Sequence, residues 1–399
     1  MKTLSKHLVG ILLAAYGSAA YGSSPVTEIS LTVEDGSLKL ADCIESIEVL
    51  PLQLTSEMTD GPGNINKVFF IKDKICVSCE PHGRNYLLNS DGSVVCELGR
   101  RRINDVESSG SLTGNPAVDG YLWGFKMAVN EHTDEICVVD VDDIFAYSLD
   151  GRFRRLIPTL PNSRQTVFTA NGYCSYTNGS VLIDSSGNTF IGQAEDSGAG
   201  AMNLTVFSDG SYRQYCSTMY ERTTGETLRS FAPYGDSYLF YCNSNDTVFA
   251  ISKKTSEVEP LFVIRPDRGH IHVNKIYTIG SNLYIGYSVS GLSGQESLFA
   301  QTSLINTSNG DSRSGFIIPI GLFGETDITE LSQLKEGEYV HQAPAPIGEK
   351  DGKLVYILPK SGWRQLSAPG RKYLSKEDLE RYDSAPENSL LLYLVSFKF

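Results

Sequence analysis

Residues 229–264, RSFAPYGDSYLFYCNSNDTVFAISKKTSEVEPLFVI, have the pattern of one complete four-stranded antiparallel sheet. Four runs rich in β-branched and aromatic residues are separated only by turn residues, and we predict strands at 230–234, 237–242, 247–252 and 257–264. A single sheet of this kind cannot bury both of its faces. It therefore has to stack against similar sheets formed elsewhere in the chain.

Similar units recur along the sequence at a spacing of about 50 to 60 residues, which is typical of propellers. Segments 74–98, 135–157 and 172–191 can be aligned by hand with the strands of residues 229–264. The predicted repeats are 66–98, 125–157, 165–192, 229–264, 274–320 and one that starts near 344, with 203–216 as an extra hairpin or the rest of the third repeat. These repeats predict an all-β fold, a six-bladed β-propeller built from four-stranded antiparallel blades.

Three repeats carry a small-residue dipeptide between their last two strands: Asp91-Gly92, Asp150-Gly151 and Ser186-Gly187. We predict two-residue hairpin turns there, because such dipeptides tolerate the positive φ angles that a tight hairpin needs.

The two ends of the chain are predicted to complete the ring. A strand at 44–52 precedes the first repeat, and a terminal strand at 389–399 follows the last. Pairing these two strands would close the last blade and leave no free sheet edge. The one helix expected after the leader is 371–387, with Ser375 as its N-cap and acidic residues in its first turn.

The first 22 residues have the pattern of a cleaved signal peptide: Lys2 and Lys6, an apolar run over 8–15, then small residues. Residues 23–399 would then form a single domain, exported to the periplasm or the extracellular space. No Cys lies near the cleavage site, so a lipoprotein is not predicted, and no later apolar run is long enough for a membrane span. The net charge of −13 argues against nucleic acid as a partner.

Several motifs together resemble an exported six-bladed β-propeller family of Bacteroidetes, whose fold is similar to that of NHL propellers. The motifs are IEVLPL at 47–52, the strand pairs that end in Asp-Gly, the F-x-x-Y-x-D-x-Y-x-F and N-D-T-V-F-x-I patterns within 231–251, and the closing segment 387–399. The G-x-G-P-x-E-Y segment that family members often carry is missing from 99–114. The resemblance implies the architecture and an exported protein, but no particular activity.

Eight cysteines in an exported protein raise the question of disulfides. Cys76, Cys137 and Cys174 fall at one equivalent position in three repeats, and stacked sheets lie about 10 Å apart, which is too far for a bridge. We therefore predict mostly free, buried thiols. The spacing of Cys76 and Cys79 lacks a second pair to complete a metal site, and His270 and His272 fit a polar strand entrance better than a metal site, so no metal or cofactor is predicted.

One recurring feature indicates a binding site. Five repeats place a basic residue at nearly the same offset, at the entrance of their first strand: Lys67, Lys126, Arg164, Arg229 and Lys275. First strands line the channel of a propeller, so this basic collar would surround one channel mouth and attract an anion. The alternative is that these side chains only cover the rim and pair with acidic neighbours. Trp123 could add a stacking surface for a sugar.

We therefore predict an exported binding or scaffold module that takes an anionic small molecule or glycan at the channel mouth. The alternative is a propeller hydrolase or lyase whose active-site residues come from several blades, although no catalytic motif is present. A third class is a protein partner in a cell-surface complex, which a contiguous apolar patch would indicate.

Overall fold

The computed structural model describes residues 26–31, 43–55, 57–59, 65–79, 84–98, 126–130, 133–139, 143–158, 168–169, 172–173, 180–183, 189–194, 200–208, 211–220, 232–242, 246–255, 257–290, 300–308, 311–316, 346–361 and 365–398. Within these ranges the chain is mostly β-strand, with two helices. The predicted signal peptide and its cleavage site lie outside the described residues.

The strands form four-stranded antiparallel sheets in chain order. Strands β1 (Thr27–Leu31) and β2 (Ile44–Thr55) come first and join later sheets. The first sheet contains β3 to β6: Ile65–Ile71, Lys74–Cys79, Arg84–Asn89 and Val94–Leu98. The second contains β7 to β10: Lys126–Asn130, Glu135–Val139, Asp143–Ser148 and Phe153–Pro158.

The third repeat differs from the prediction. Strands β11 (Phe168–Thr169) and β12 (Gly172–Tyr173) form a separate two-stranded sheet. The third four-stranded sheet contains β13 to β16: Ser180–Ile183, Thr189–Ala194, Gly200–Ser208 and Ser211–Tyr220. The hairpin predicted at 203–216 therefore supplies half of this sheet, and the predicted repeat 165–192 is divided between two sheets. The long β15–β16 hairpin pairs with β14 and so extends the β13–β14 pair to four strands, whereas β11 and β12 have only two residues each.

The remaining sheets follow the predicted repeats. The fourth contains β17 to β20: Ala232–Tyr234, Ser237–Cys242, Thr247–Ser252 and Val258–Pro266. The fifth contains β21 to β24: His270–Ile279, Asn282–Ser290, Ala300–Asn306 and Ser312–Phe316. The last sheet contains β25 to β27, Gly348–Lys350, Lys353–Pro359 and Ser389–Phe397, with β2 as its outer strand.

Neighbouring sheets contact one another through their first strands, which we call the inner strands. Strand β17 contacts β21, β21 contacts β25, β25 contacts β3, β3 contacts β7, and β7 contacts β13. This order is propeller-like, since each of these contacts joins a sheet to the next one along the chain or joins the last sheet to the first. Closure into a complete ring, and with it the count of six blades, stays a prediction.

The apolar cores lie between the faces of adjacent sheets. One cluster joins the fifth and last sheets through Tyr284 and Tyr356, and another joins the last and first sheets through Val355 and Val77. The last sheet is covered on both faces, by the fifth sheet and by the first, so its central strand β26 is buried over the five residues from Leu354 to Leu358. Continuous apolar runs of this kind are typical of strands with two covered faces.

Strand β2 completes the last sheet, as predicted. Strand β2 pairs antiparallel with β27, with Val49 opposite Tyr393. Its outward edge is blocked at every second residue: Ile47 N–H donates to Tyr373 O, Val49 N–H to Asp378 Oδ1 and Gln53 N–H to Gly92 O, while position 51 is Pro. An edge without available N–H donors does not pair with another chain.

The segment between β26 and β27 provides part of that cover. Helix α1 (Ala368–Arg371) begins after the N-cap Ser367, and helix α2 (Lys376–Ser384) begins after Ser375, whose hydroxyl accepts from Asp378 N–H. The predicted cap is confirmed, although α2 is shorter at both ends than the expected 371–387. Neither described helix has the length and apolar character that a membrane crossing requires.

Strand β1 was not predicted from the sequence. It adds a fifth strand to the fourth sheet by pairing parallel to β20, with Ile29 opposite Ile264. Ser312 Oγ of the fifth sheet donates to Ser30 O at 2.8 Å. The first described residues therefore link the fourth sheet to the fifth, before β2 joins the last sheet.

The Asp-Gly turns differ from the predicted two-residue type. In the first sheet Asn89 N–H donates to Ser93 O and Gly92 N–H to Asn89 O, which closes a loop of three residues. Only the glycine has positive φ, +85° at Gly92. This is a type I turn followed by a left-handed glycine, and the same bonds recur in the second sheet around Gly151, whose φ is +79°. The Ser186-Gly187 turn lies outside the described residues.

The cysteine prediction is confirmed at two equivalent positions. Cys76 and Cys137 each lie two residues after the start of the second strand of their sheet, and both are fully buried free thiols. Burial raises the pKa of the Cys137 thiol to about 12 and that of Cys76 further. Such thiols are inert packing groups at neutral pH.

Candidate functional site

Three of the predicted basic residues lie at one register position on their inner strands. Lys67, Lys126 and Lys275 pair across to Ser78, Val139 and Gly286, and each partner is four residues after the start of the second strand. These three lysines therefore share one backbone register position, although Lys275 is the sixth residue of β21 rather than its entrance. That they surround a channel mouth stays a prediction. Arg164, Arg229, Trp123 and the side chain of Lys126 lie outside the described residues.

A β-bulge precedes two of these lysines. The register shifts between Ile65 and Lys67 in β3, and between Val273 and Lys275 in β21. Both bulges contain an Asn directly before the Lys, at Asn66 and Asn274. Bulges bend a strand and redirect the neighbouring side chain, and they recur next to functional sites.

The Lys275 ammonium crosses from the fifth sheet to the last sheet. Its Nζ donates to Pro346 O at 2.7 Å, and Tyr277 OH donates to the same carbonyl at 3.2 Å. The carbonyl is neutral, so it does not balance the charge of the ammonium. Desolvation by the surrounding protein lowers the pKa of Lys275 to about 8. The side chain is therefore still mainly a cation at pH 7.

Lys67 has a different environment. Its Nζ lies 4.6 Å from the centroid of the Phe69 ring, two residues further along the same strand, which is a cation–π distance. Phe69 occupies the position that Tyr277 holds in β21, where each residue lies two after the lysine. The ring keeps the ammonium close to its own strand.

Glu349 is a polar residue of this region that the sequence did not single out. It is on β25 and partly buried, and its carboxyl accepts a hydrogen bond from the backbone N–H of Thr278. The Thr278 hydroxyl oxygen lies 3.0 Å from the carboxyl, which can accept a hydrogen bond from that hydroxyl when Glu349 is ionised. Desolvation raises the pKa of Glu349 to about 7, although the bonds from Thr278 and the charge of Lys253 act in the opposite direction. The pattern GEKDGK at 348–353 is typical of an exposed turn, so no sequence signal indicated a partly buried carboxyl.

These side chains distinguish the β21–β25 junction from its neighbour. At the β25–β3 junction the backbones meet directly: Val68 N–H donates to Ile347 O at 2.9 Å, and a Cβ at Gly348 would lie 2.7 Å from Val68 O. No side chain fits at position 348. At the β21–β25 junction, by contrast, Lys275, Tyr277 and Glu349 bridge the two strands with polar groups.

Within the described part of the chain, no three His, Cys, Asp or Glu side chains converge on a point where a metal ion could bind. The side chains of His270 and His272 lie outside that part. The described polar groups of the junction are one ammonium, one carboxyl, two hydroxyls and backbone carbonyls. Such groups can bind an anion or a polyhydroxylated molecule by charge and hydrogen bonds.

The chain matches no protein-family model, and no curated protein matches it significantly. Among solved structures it is similar to a Bacteroides fragilis NCTC 9343 protein described as exported, with 16% identity, a TM-score of 0.60, and coverage of 94% of this chain and 100% of that one. At this identity the similarity shows a shared fold alone.

Two further similarities are more distant. A DUF4221 family member from Bacteroides vulgatus ATCC 8482 is 10% identical, with a TM-score of 0.46 over 89% of this chain and 97% of that one. A protein described as a gluconolactonase is 7% identical, with a TM-score of 0.41 over 88% and 93%. These two are too distant to support an argument.

Proposed function

We propose that this chain is an exported six-bladed propeller that binds an anionic small molecule or an acidic glycan in its central channel. The ligand would bind at the basic collar, formed by Lys67, Lys126, Arg164, Arg229 and Lys275, and Trp123 would stack on a sugar ring. The order of the inner strands and the completion of the last sheet by β2 support the propeller.

The observation that carries the binding proposal is the environment of Lys275. A desolvated ammonium is costly unless a counter-charge compensates it. Its described hydrogen-bond partner is the neutral Pro346 O, and an ammonium has three N–H donors, so two more can bind a ligand. An anion would supply the compensating charge. On a chain of net charge −13, a local positive site would focus a small anion at that point of the surface.

The test is a binding panel on the purified chain without its leader, using phosphate, citrate, glucuronate and oligogalacturonate. We compare the wild type with Lys275→Met, which keeps the length of the side chain and removes its charge. Losing one charged hydrogen bond should weaken binding by about 1.5–3 kcal/mol, or about 10- to 150-fold. Isothermal titration at low and high salt measures the affinity.

Lys254→Met is the matched control, because Lys254 carries the same charge at an exposed turn, paired with Asp236 at 2.6 Å. It should bind like the wild type. If Lys275→Met also binds every anion as the wild type does, or if no member of the panel binds, the proposal is wrong. The hydrolase or lyase alternative and the role of partner in a surface complex stay predictions.

A further inference from the structure

We propose that the protonated Glu349 carboxyl links the inner strands of three successive sheets, β17, β21 and β25, through hydrogen bonds. It carries a proton in mildly acidic solution, and these hydrogen bonds weaken when it ionises. The proposal does not depend on whether the channel binds an anion. It rests on the hydrogen atoms available to one hydroxyl group.

That hydroxyl belongs to Thr278 on β21. Its Oγ1 lies 2.7 Å from Pro233 O on β17, and 3.0 and 3.2 Å from the two carboxyl oxygens of Glu349 on β25. A hydroxyl has one hydrogen to donate, and a backbone carbonyl can only accept. Two oxygens at 2.7 Å without a hydrogen between them repel each other, so the hydroxyl hydrogen points to Pro233.

The hydrogen between Thr278 and Glu349 must then come from Glu349. A protonated carboxyl donates its O–H to Thr278 Oγ1, while its other oxygen accepts from Thr278 N–H. This chain of donors runs from Glu349 to Thr278 to Pro233 and satisfies every oxygen in it. An ionised carboxylate would compete with Pro233 O for the single hydroxyl hydrogen, and one of the two contacts would become repulsive.

The surroundings favour the proton. Burial raises the pKa of Glu349 to about 7 and outweighs the opposing effects of the Thr278 bonds and of Lys253. Lys253 is held at the edge of the fourth sheet, where its ammonium donates to Gly235 O at 2.9 Å. Lys350, the next residue on β25, points its ammonium to the ring of Phe70, 4.8 Å from the centroid. The ammonium of Lys275 on β21, in the same junction, donates to Pro346 O at 2.7 Å. Of these three cations, Lys253 lowers the pKa of Glu349, and burial outweighs that effect.

The sign of the stability effect follows from this pKa. Glu has an ordinary pKa of 4.5, and in the folded chain it is about 7. A raised folded pKa means that the stabilisation is complete below pH 4.5 and is lost as the pH rises to 7. A shift from 4.5 to 7 corresponds to about 300-fold in the unfolding equilibrium constant, since each pH unit is tenfold.

The experiment compares the wild type with Glu349→Gln by urea denaturation of the full chain without its leader, from pH 4.5 to 8.5. Gln resembles the protonated acid, because its amide can donate to Thr278 Oγ1 and accept from Thr278 N–H. The two proteins should unfold alike near pH 4.5. Above pH 7 the variant should have the smaller unfolding constant, by up to about 300-fold. The control Glu259→Gln removes the same charge at an exposed position on β20 and should show no such divergence.

A second measurement applies even if Glu349→Gln does not fold. The infrared carbonyl band of a protonated carboxylic acid should be present in the wild type at pH 6 and disappear between pH 6 and 8. In Thr278→Val, which lacks the hydroxyl, this band should shift. A wild type with no protonated-acid band at pH 6 overturns the proposal, and so does a difference in stability between wild type and Glu349→Gln that is the same at every pH.

Discussion

The contact between β2, in the last sheet, and the first sheet gives a sharp test of how these two sheets pack. Gly92 lies in the turn after β5, and its carbonyl accepts from Gln53 N–H at 2.9 Å. A Cβ at this position would lie 2.2 Å from Pro51 O, far inside any contact that real Cβ atoms make. We therefore expect Gly92→Ala to push β2 and the first sheet apart.

The magnitude has three parts. The φ of +85° at Gly92 costs a residue with a side chain about 1–2 kcal/mol. Loss of the Gln53 bond costs about 1 kcal/mol, and the forced displacement of packed backbone costs about 1–3 kcal/mol. Gly92→Ala should therefore lower the free energy of unfolding by about 3–6 kcal/mol.

Gly235→Ala is the matched control. Gly235 also has a positive φ, +53°, but a Cβ there would meet nothing within 4 Å. It should lose only the conformational part, about 1–2 kcal/mol. The assay is urea denaturation followed by far-ultraviolet circular dichroism. Equal losses for the two variants would refute the close approach of Gly92 to β2, and with it the described docking of β2 on the first sheet.

Three further outcomes are expected. Asp378→Ala should cost about 2–3 kcal/mol of unfolding free energy, because its buried carboxyl accepts from Val49 N–H at 3.1 Å, and a loss below 1 kcal/mol in denaturation would contradict that role. Gly151→Ala should be rescued in part by Cys96→Ala, because a Cβ at Gly151 would lie 2.2 Å from Cys96 Sγ, and a double-mutant cycle without coupling would exclude the contact. Anion affinity at Lys275 should be constant below about pH 7 and should fall by about tenfold per pH unit well above the lysine pKa of about 8. Calorimetry across that pH range measures this, and an affinity that does not change with pH would exclude Lys275 from the site.

The sequence predicts the parts of the fold that depend on local pattern. Strands β18 and β19 have the predicted bounds, because each is an apolar and aromatic run between turn residues. The partner of β2 was predicted as well, since an unpaired strand at each end of a repeat protein leaves few alternatives. Ser375 was recognisable as a cap from the acidic residues that follow it.

The features that the sequence did not predict depend on distant contacts. Strand β1, TEISL, is short and half polar, and it becomes a strand only because the edge of β20 accepts it. The Asp-Gly turns have one more loop residue than predicted, because a type I turn with a left-handed glycine and a two-residue turn use the same dipeptide. Glu349 is partly buried only because β21 and β25 meet, and no pattern within residues 348–353 shows that junction.

The pairing of β2 with β27 also determines the order of events during biosynthesis. Val49 and the Asp378 carboxylate that binds it are 329 residues apart, so β2 leaves the ribosome long before its partners exist. Until then its apolar side chains and backbone donors must stay away from other chains. Contacts between such distant residues form slowly, and we expect completion of this sheet to be the last and rate-limiting step of folding. A chaperone that shields extended apolar segments would raise the yield of this protein more than one that accelerates proline isomerisation.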